Sequence, residues 1–167
     1  MDGYGVPPVP IRFYRDVDKA QIENFTCSAS DQGWKGAPQD VIRESPSALP
    51  EASIQILVAI VEDTHVVGVA VFEYMDDYCW VNTLGTRIDH QHRGIGTSLK
   101  LAVMAETERV HPGISVRSKV HKRNKFMIRI NTRLMATSAR SPSEPNYLNT
   151  LVKLGSLIEE GDVTPSK

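Results

Sequence analysis

The sequence predicts one α/β domain, residues 1–167, built on a mixed and mostly antiparallel β-sheet. The chain has 167 residues, 41% of them hydrophobic and 23% charged, which fits a single domain with a sizeable core. Two runs rich in β-branched residues, Ile54–Val61 and residues 66–74, flank the polar turn 62–65 and predict a hairpin. A strand, helix and strand then follow over residues 80–120, an arrangement that makes two strands parallel.

The N-terminal part is predicted to hold a strand, two helices and a loop. Residues 9–15 alternate apolar and polar side chains, as a half-buried strand does. Asp16 or Asp18 then caps a helix that runs through Phe25. Ser and Gly are frequent in residues 27–37, which we expect to form a loop beside the substrate, before a short helix over residues 38–43.

The remaining elements follow from the same periodicities. Strands are expected over residues 80–88 and 114–120, and helices over residues 97–110 and 124–135. Residues 147–154 fit either a final strand or an amphipathic helix, and we favour the strand. The chain ends, residues 1–8 and 161–167, are expected to be flexible.

Glycines between the strand at residue 80 and the following helix predict an anion site. Gly94 and Gly96 have no Cβ, so the backbone can adopt positive φ and approach a ligand closely. The first N–H groups of the helix have no partner within the helix and can hold a phosphate. A merely tight connection is the alternative. A dinucleotide fold would need an acidic residue about 20 positions later, where Arg109 and His111 stand, and the Lys of a P-loop is absent.

A basic segment lies C-terminal to this junction. Between Arg109 and Ser143 the chain has no Asp or Glu and nine Lys or Arg residues. This charge can attract an anionic coenzyme or substrate, or form a solvated helix face. Nucleic acid is an unlikely partner, because Phe126 is the one aromatic residue in the segment and single strands bind by stacking.

In element order and in the pattern Q/R-x-x-G-x-G/A, read as Gln91, Gly94 and Gly96, the chain resembles the Gcn5-related N-acetyltransferase (GNAT) superfamily over residues 9–154. The resemblance implies helices on both faces of the sheet and a splayed parallel strand pair. It also implies acetyl-CoA as co-substrate, with its phosphates on residues 91–97 and its pantetheine arm on the preceding strand. The implied coenzyme-binding residues are Thr86, Arg87, Ile88, Gln91, His92, Arg93, Gly94, Ile95, Gly96, Thr97 and Asn124.

Acetyl transfer to an amine needs a proton acceptor and a proton donor. Glu73, with Asp76 and Asp77, precedes the central strand, and Glu73 is the preferred base; a turn carboxylate is the alternative. The family's usual acid is a Tyr seven residues after Asn124, but Asn131 occupies that position. Tyr147 is therefore the candidate acid, with an ordinary sheet aromatic as the alternative.

Two function classes follow: an N-acetyltransferase acting on a primary amine of a small molecule or a protein in a ternary complex, and a catalytically silent acyl-CoA-binding or interaction module. No metal site is expected, because Cys27 and Cys79 are too few and too far apart in sequence, and both are expected to be reduced thiols. No apolar run reaches the roughly 20 residues that span a bilayer, so no membrane partner and a cytoplasmic location are expected. The oligomeric state stays open, a homodimer included.

Overall fold

Seven strands form one sheet, in the order β1-β2-β3-β4-β5-β7-β6, in the computed structural model, which describes residues 9–44, 54–134 and 136–153. The β4–β5 pair is parallel and all other neighbouring pairs are antiparallel, so the predicted mixed sheet is confirmed. The strands are β1 (Ile11–Phe13), β2 (Ile54–Val61), β3 (His65–Tyr74), β4 (Tyr78–Thr86), β5 (Ser115–His121), β6 (Thr137–Arg140) and β7 (Tyr147–Lys153).

Helices cover both faces of the sheet. They are α1 (Lys19–Glu23), α2 (Ser28–Gln32), α3 (Pro38–Glu44), α4 (Ile95–Val110) and α5 (Lys125–Arg133), with 3-10 turns at Asp16–Asp18 and Ile88–His90. One core packs α4 and α5 against the sheet through residues such as Leu99 and Met127. The other packs α1 and α3 on the opposite face through Ile22 and Ile42. α1, α3, α4 and α5 therefore bury apolar side chains against the sheet, whereas no residue of the short α2 is buried.

The parallel strands β4 and β5 separate after four residue pairs. Their pairing begins at Tyr78 opposite Ser115 and ends at Val81 opposite Ser118. Beyond that point β5 pairs with β7 only, up to His121 opposite Tyr147. The predicted splay is present, and it leaves one edge of β4 without a strand partner.

A β-bulge lies in β4 at the apex of this splay. Val71 of β3 pairs with Thr83, and the next residue, Phe72, pairs with Val81, so Asn82 is left without a partner in β3. Asn82 also lies beyond the last β4–β5 pair. A bulged residue bends its strand and increases the local twist. The bulge therefore turns the backbone of β4 away from β5 where the two strands part.

Two short elements were not predicted. α2 replaces the expected loop, because Ser30 Oγ accepts the Cys27 N–H at 2.9 Å and Gly33, with φ of 70°, ends the helix. β6 is an edge strand whose four side chains are all exposed, so it carries no apolar alternation. The final segment is the favoured strand, β7. Residues 135 and 154 and the expected flexible ends, 1–8 and 161–167, lie outside the described residues.

Three predicted boundaries shift by about two residues. β4 covers Tyr78–Thr86, because residues 88–90 form a 3-10 turn, and α4 begins at Ile95 rather than at residue 97. Both cysteines are buried free thiols. Within the described part of the chain, no helix combines the length and the apolar character needed to cross a membrane.

Candidate active site

The N-terminus of α4 is capped by a glycine in the left-handed conformation. Gly94 has φ of 84°, and its carbonyl accepts the Ser98 N–H at 3.0 Å, the first bond of the helix. The N–H groups of Ile95, Gly96 and Thr97 precede that bond and have no partner within the helix. The side chain of Ile95 is buried, so only its backbone is available to a ligand. The predicted anion site therefore has its donors in place.

Gly96 is required by packing rather than by its φ angle. A Cβ at this position would lie 2.6 Å from Ile130 Cδ1 and 3.2 Å from Phe126 Cζ, both on α5. The absence of a side chain lets α4 and α5 approach closely beside residues 91–94, here called the glycine loop. The second glycine of the motif thus serves the contact between helices, and the first serves the turn.

A cavity of about 240 Å³ lies between the start of α4 and α5. Four predicted residues line it together: His92, Gly94, Gly96 and Thr97. The His92 ring contacts Phe126 edge to face, with ring centroids 5.8 Å apart. Sequence reasoning missed the two basic residues of the cavity, Arg129 and Arg133 of α5. Cationic side chains beside a helix N-terminus favour an anion with several charges.

Gln91 and Arg93 do not line this cavity. The Gln91 side-chain amide donates to Ser28 Oγ at 3.0 Å and to the Thr86 carbonyl at 3.2 Å. It therefore holds the glycine loop against α2 and the end of β4. The Arg93 side chain is exposed. A contact of either residue with phosphate stays a prediction.

Thr86 ends the splayed part of β4, and Arg87 and Ile88 follow it. The Arg87 and Ile88 N–H groups donate to the carbonyls of Val67 and Thr26, at 2.9 and 3.0 Å. The Thr86 carbonyl accepts the Gln91 amide. Their backbone groups are therefore used within the protein, and the splayed part of β4 begins earlier in the chain, at Asn82.

A second cavity, of about 200 Å³, occupies the gap between β4 and β5. It passes through the sheet, from Trp34 on the α1–α3 face to Lys100 of α4 on the other. Its lining also includes Trp80, Asn82, Ser118, Lys119, His121, Asn124, Glu144 and Tyr147. Of the predicted site residues, Asn124 and Tyr147 meet here.

Asn124 is the N-cap of α5. Its side-chain oxygen accepts the Met127 N–H at 3.1 Å, which stabilises the first turn of the helix. The residue is 9% exposed. Its position at the cavity wall follows from its capping role, because the cap fixes where α5 begins.

Residues Trp34 to Gly36, here called the bridging loop, connect the α1–α3 face to β5 and β7. The Trp34 ring stacks on His121 with centroids 4.5 Å apart. The Lys35 N–H donates to the Tyr147 hydroxyl at 3.0 Å, and Lys35 Nζ pairs with Glu144 at 2.7 Å. Loop and C-terminal strands thus close one side of the cavity.

The pKa values of two groups in this wall limit their roles. Hydrogen bonds from Lys119 and Lys35 lower the pKa of Glu144 to about 2, so it is too weak a base to accept an amine proton near neutrality. Burial and, less strongly, Arg123 and Lys122 lower the pKa of His121, so its ring is neutral at pH 7. His121 Nδ1 accepts the Arg123 N–H at 3.1 Å, which leaves the ring hydrogen on Nε2.

The two candidate acid positions differ in environment. Tyr147 lines the cavity, and its hydroxyl accepts the Lys35 N–H, a contact that leaves the hydroxyl hydrogen available to another acceptor. Asn131, at the position of the family's usual acid, is 3% exposed, and both polar atoms of its side chain lack a hydrogen-bond partner. The structure therefore brings Tyr147, but not Asn131, to the cavity lining.

Glu73 lies next to the cavity rather than in its wall. It pairs with Trp80 across β3 and β4, and cross-strand partners project from the same face of a sheet. Trp80 lines the cavity, so the half-buried Glu73 side chain lies beside a lining residue without lining the cavity itself. Its role as base stays a prediction.

Lys100 is a buried basic side chain of this cavity that sequence reasoning did not single out. It lies on α4, is 2% exposed, and its Nζ donates to Ser118 Oγ at 3.4 Å. Burial lowers the pKa of Lys100 to about 8. A buried ammonium at the floor of a cavity is costly to keep without an anion.

The splayed parallel pair beside a glycine-capped helix defines an acetyltransferase fold. The model of the acetyltransferase (GNAT) family matches residues 18–131, and the chain belongs to that family. A comparison with proteins of curated function gives no match.

Solved structures share this fold at low sequence identity. An acetyltransferase of the GNAT family from Staphylococcus aureus Mu50 has a TM-score of 0.73 and 12% identity, over 87% of this chain and 99% of that chain. PaiA N-acetyltransferase from Thermoplasma acidophilum, in complex with coenzyme A, has a TM-score of 0.67 and 15% identity, over 87% and 98%. YncA from Salmonella typhimurium, solved with acetyl-CoA, has a TM-score of 0.65 and 18% identity, over 87% and 92%.

Proposed function

We propose that this chain is an acetyl-CoA-dependent N-acetyltransferase that transfers the acetyl group directly to a primary amine of a small molecule or a protein. Its family membership supports acetyl transfer in general. The complexes of similar folds with coenzyme A and acetyl-CoA support the co-substrate. The acceptor and the catalytic residues are part of the proposal.

One observation carries the proposal: two cavities of different chemistry flank the same helix, α5. Phe126 and Ile130 border the cavity at the glycine-capped helix start, where backbone N–H groups and arginines suit phosphates. Asn124 and Met127 border the cavity in the strand gap, where unpaired backbone of β4 suits an amide-containing arm. A ligand with polyphosphate at one end and an extended arm at the other fits both.

The chemistry of acetyl transfer assigns a role to each side of the strand gap. The thioester carbonyl develops negative charge when the amine attacks, and N–H groups of the splayed strand can stabilise it. Asn82, unpaired in both neighbouring strands, is the expected donor. The amine enters from the face of the bridging loop, where Glu73, directly or through water, accepts its proton. Tyr147 is the candidate donor to the departing thiolate.

Coenzyme binding is tested by the variant Gly94→Val. Acetyl-CoA at 100 times its Kd should stabilise the native protein by about 2.7 kcal/mol. Gly94→Val should lose this gain, because a β-branched residue resists φ of 84° and fills the phosphate position. Thermal unfolding with and without acetyl-CoA measures the stabilisation of wild type and its loss in Gly94→Val.

Gly113→Val is the matched control. Gly113 has φ of 88° in the turn after α4, and a Cβ there would meet nothing within 4 Å. The two variants share the backbone strain, but only one is at the helix N-terminus. Gly113→Val should keep the full acetyl-CoA shift. An equal shift in folded Gly94→Val would contradict the proposed site.

Turnover is tested by release of free thiol from acetyl-CoA in the presence of primary amines, with amide formation followed by mass spectrometry. Transfer of the acetyl group to an amine supports the proposed N-acetyltransferase activity. Tight acetyl-CoA binding without transfer to any small amine or peptide amine would instead favour an acyl-CoA-binding module.

A further inference from the structure

Lys100 places a positive charge at the apex of the strand gap. Its Nζ contacts Ser118, and Ser118 is the last β5 residue that pairs with β4. An arm that enters between the strands from their open end must stop where the strands meet. The reactive end of such an arm therefore comes closest to Lys100.

The protein supplies Lys100 with little compensation. Ser118 Oγ lies 3.4 Å from Nζ, and it already shares a short hydrogen bond of 2.5 Å with Thr150 Oγ1. No ion pair between Lys100 and a carboxylate is found among the described residues. Because a buried ammonium loses most of its hydration, the site is suited to receive an anion.

Titratable groups on the surrounding elements do not provide that anion. On β4, burial raises the pKa of the Cys79 thiol, which keeps it neutral. Glu144 is the one carboxylate among the described residues lining the cavity, and it is held by two other lysines. The other ionisable side chains of the lining are Lys35, Lys119, His121 and Tyr147, and none of them is a carboxylate.

Acetyl transfer creates an anion at the end of the arm when the carbon–sulfur bond breaks. We propose that Lys100 is a catalytic residue, whose ammonium pairs with the departing thiolate of coenzyme A and donates a proton to it. This inference rests on the proposed function. It adds a second donor to Tyr147, on the opposite face of the sheet.

The step balances in atoms and charge. The amine nitrogen bonds to the carbonyl carbon, the electron pair of the carbon–sulfur bond goes to sulfur, and sulfur takes one proton from Lys100. Solvent reprotonates the neutral lysine, while the proton lost by the amine leaves on the opposite face. Before the two charges interact, the lysine pKa of about 8 is close to the alkyl thiol pKa of about 8.5. Their attraction then favours the ion pair, so Lys100 first stabilises the thiolate and the proton follows as coenzyme A departs.

Binding of coenzyme A itself tests the ion pair without any acceptor. The thiolate absorbs in the ultraviolet, so the thiol pKa of bound coenzyme A is measured by titration in wild type and Lys100→Met. An opposite charge within about 4–6 Å lowers an acid pKa by about 1–3 units. We expect the thiol pKa to be lowered in wild type and to return to about 8.5 in the variant.

Kinetics test the proton transfer. With acetyl-CoA and a saturating amine, wild-type kcat should fall above pH 8 as Lys100 loses its proton. Lys100→Met and Lys100→Gln should lower kcat about 10²-fold or more, with KM for acetyl-CoA retained, and should lose this alkaline limb. Lys119→Met removes a paired lysine from the same cavity and should keep the limb. Circular dichroism checks that each variant is folded.

The outcomes separate the two proposals. Failure of wild type to bind coenzyme A overturns the proposed function together with the role of Lys100. Binding with an unshifted thiol pKa, or an unchanged kcat profile in Lys100→Met, overturns the role of Lys100 alone. A third outcome also overturns the role of Lys100 as a proton donor. Wild type would prefer succinyl-CoA, whereas Lys100→Met would lose that preference and still turn over acetyl-CoA, so Lys100 would bind an acyl carboxylate instead.

Discussion

Replacing Lys100 with Met should stabilise the protein. The buried ammonium has a pKa of about 8 against the ordinary lysine value of 10.5, a difference of about 2.5 units. Each unit is worth about 1.36 kcal/mol, so the charge costs the native state about 3 kcal/mol at pH 7. Met has a similar length and no charge to bury. Its thioether leaves no hydroxyl unsatisfied, because Ser118 and Thr150 bond to each other.

The gain should depend on pH with a definite sign. Between pH 8 and pH 10.5 the unfolded chain keeps the Lys100 proton and the native protein has lost it, so wild-type stability rises with pH. The advantage of Lys100→Met is therefore full below pH 8 and falls to about 1.4 kcal/mol at pH 9.5. Groups away from Lys100 titrate equally in both proteins and cancel in the difference. Cys79 is coupled to Lys100, but burial raises its pKa and favours the neutral thiol.

Urea unfolding at pH 7 and pH 9.5 measures this difference, and 3 kcal/mol corresponds to a rise in Tm of about 6–12 °C. Lys125→Met is the control, because Lys125 is exposed on α5 and its replacement should change stability by no more than about 0.5 kcal/mol. Equal or lower stability of Lys100→Met at pH 7, or a gain that does not shrink at pH 9.5, would refute the reasoning.

Three further predictions concern packing and the two candidate catalytic side chains. Gly96→Ala should cost about 1–3 kcal/mol in urea unfolding, since its Cβ would lie 2.6 Å from Ile130 Cδ1, and Ile130→Val, which removes that methyl, should recover most of the loss; additive costs would contradict this. If Glu73 is the base, Glu73→Gln should lower kcat about 10²- to 10⁴-fold with acetyl-CoA affinity retained. A rise only in KM for the amine would show instead that Glu73 attracts a cationic acceptor and is not the base. Tyr147→Phe should lower kcat most at high pH, where water-borne protons are scarce, and full activity from pH 6 to 9 would leave Lys100 or solvent as the donor.

Much of the fold follows from periodic patterns. The hairpin of β2 and β3 and the parallel pair β4–β5 were predicted, because β-branched runs and an intervening helix report them directly. The glycine-capped start of α4 was predicted from a local signal, because glycines at a strand-to-helix junction allow the positive φ that Gly94 adopts. β6 could not be predicted, since an exposed edge strand needs no apolar residues.

The site was less predictable, because it depends on register. The bulge at Asn82 follows from how β3 and β4 pair, and a single strand carries no sign of it. The pantetheine contacts predicted at Thr86, Arg87 and Ile88 lie four residues or more past Asn82, and they stay a prediction. Lys100 directly follows the core residue Leu99 in a helix, where a charged residue is normally expected at the surface. Its burial results from the gap beneath it, which α4 alone does not encode.

The bridging loop contacts a strand that is synthesised much later than the loop itself. Lys35 and Tyr147, joined by one hydrogen bond, are separated by 112 positions in the chain. The glycine loop and α5, by contrast, are complete once residue 134 has left the ribosome. The residues that line the phosphate cavity thus leave the ribosome before β7, while the wall of the strand gap includes Tyr147 of β7. An interruption of the chain after α5 would remove Glu144 and Tyr147 from that wall.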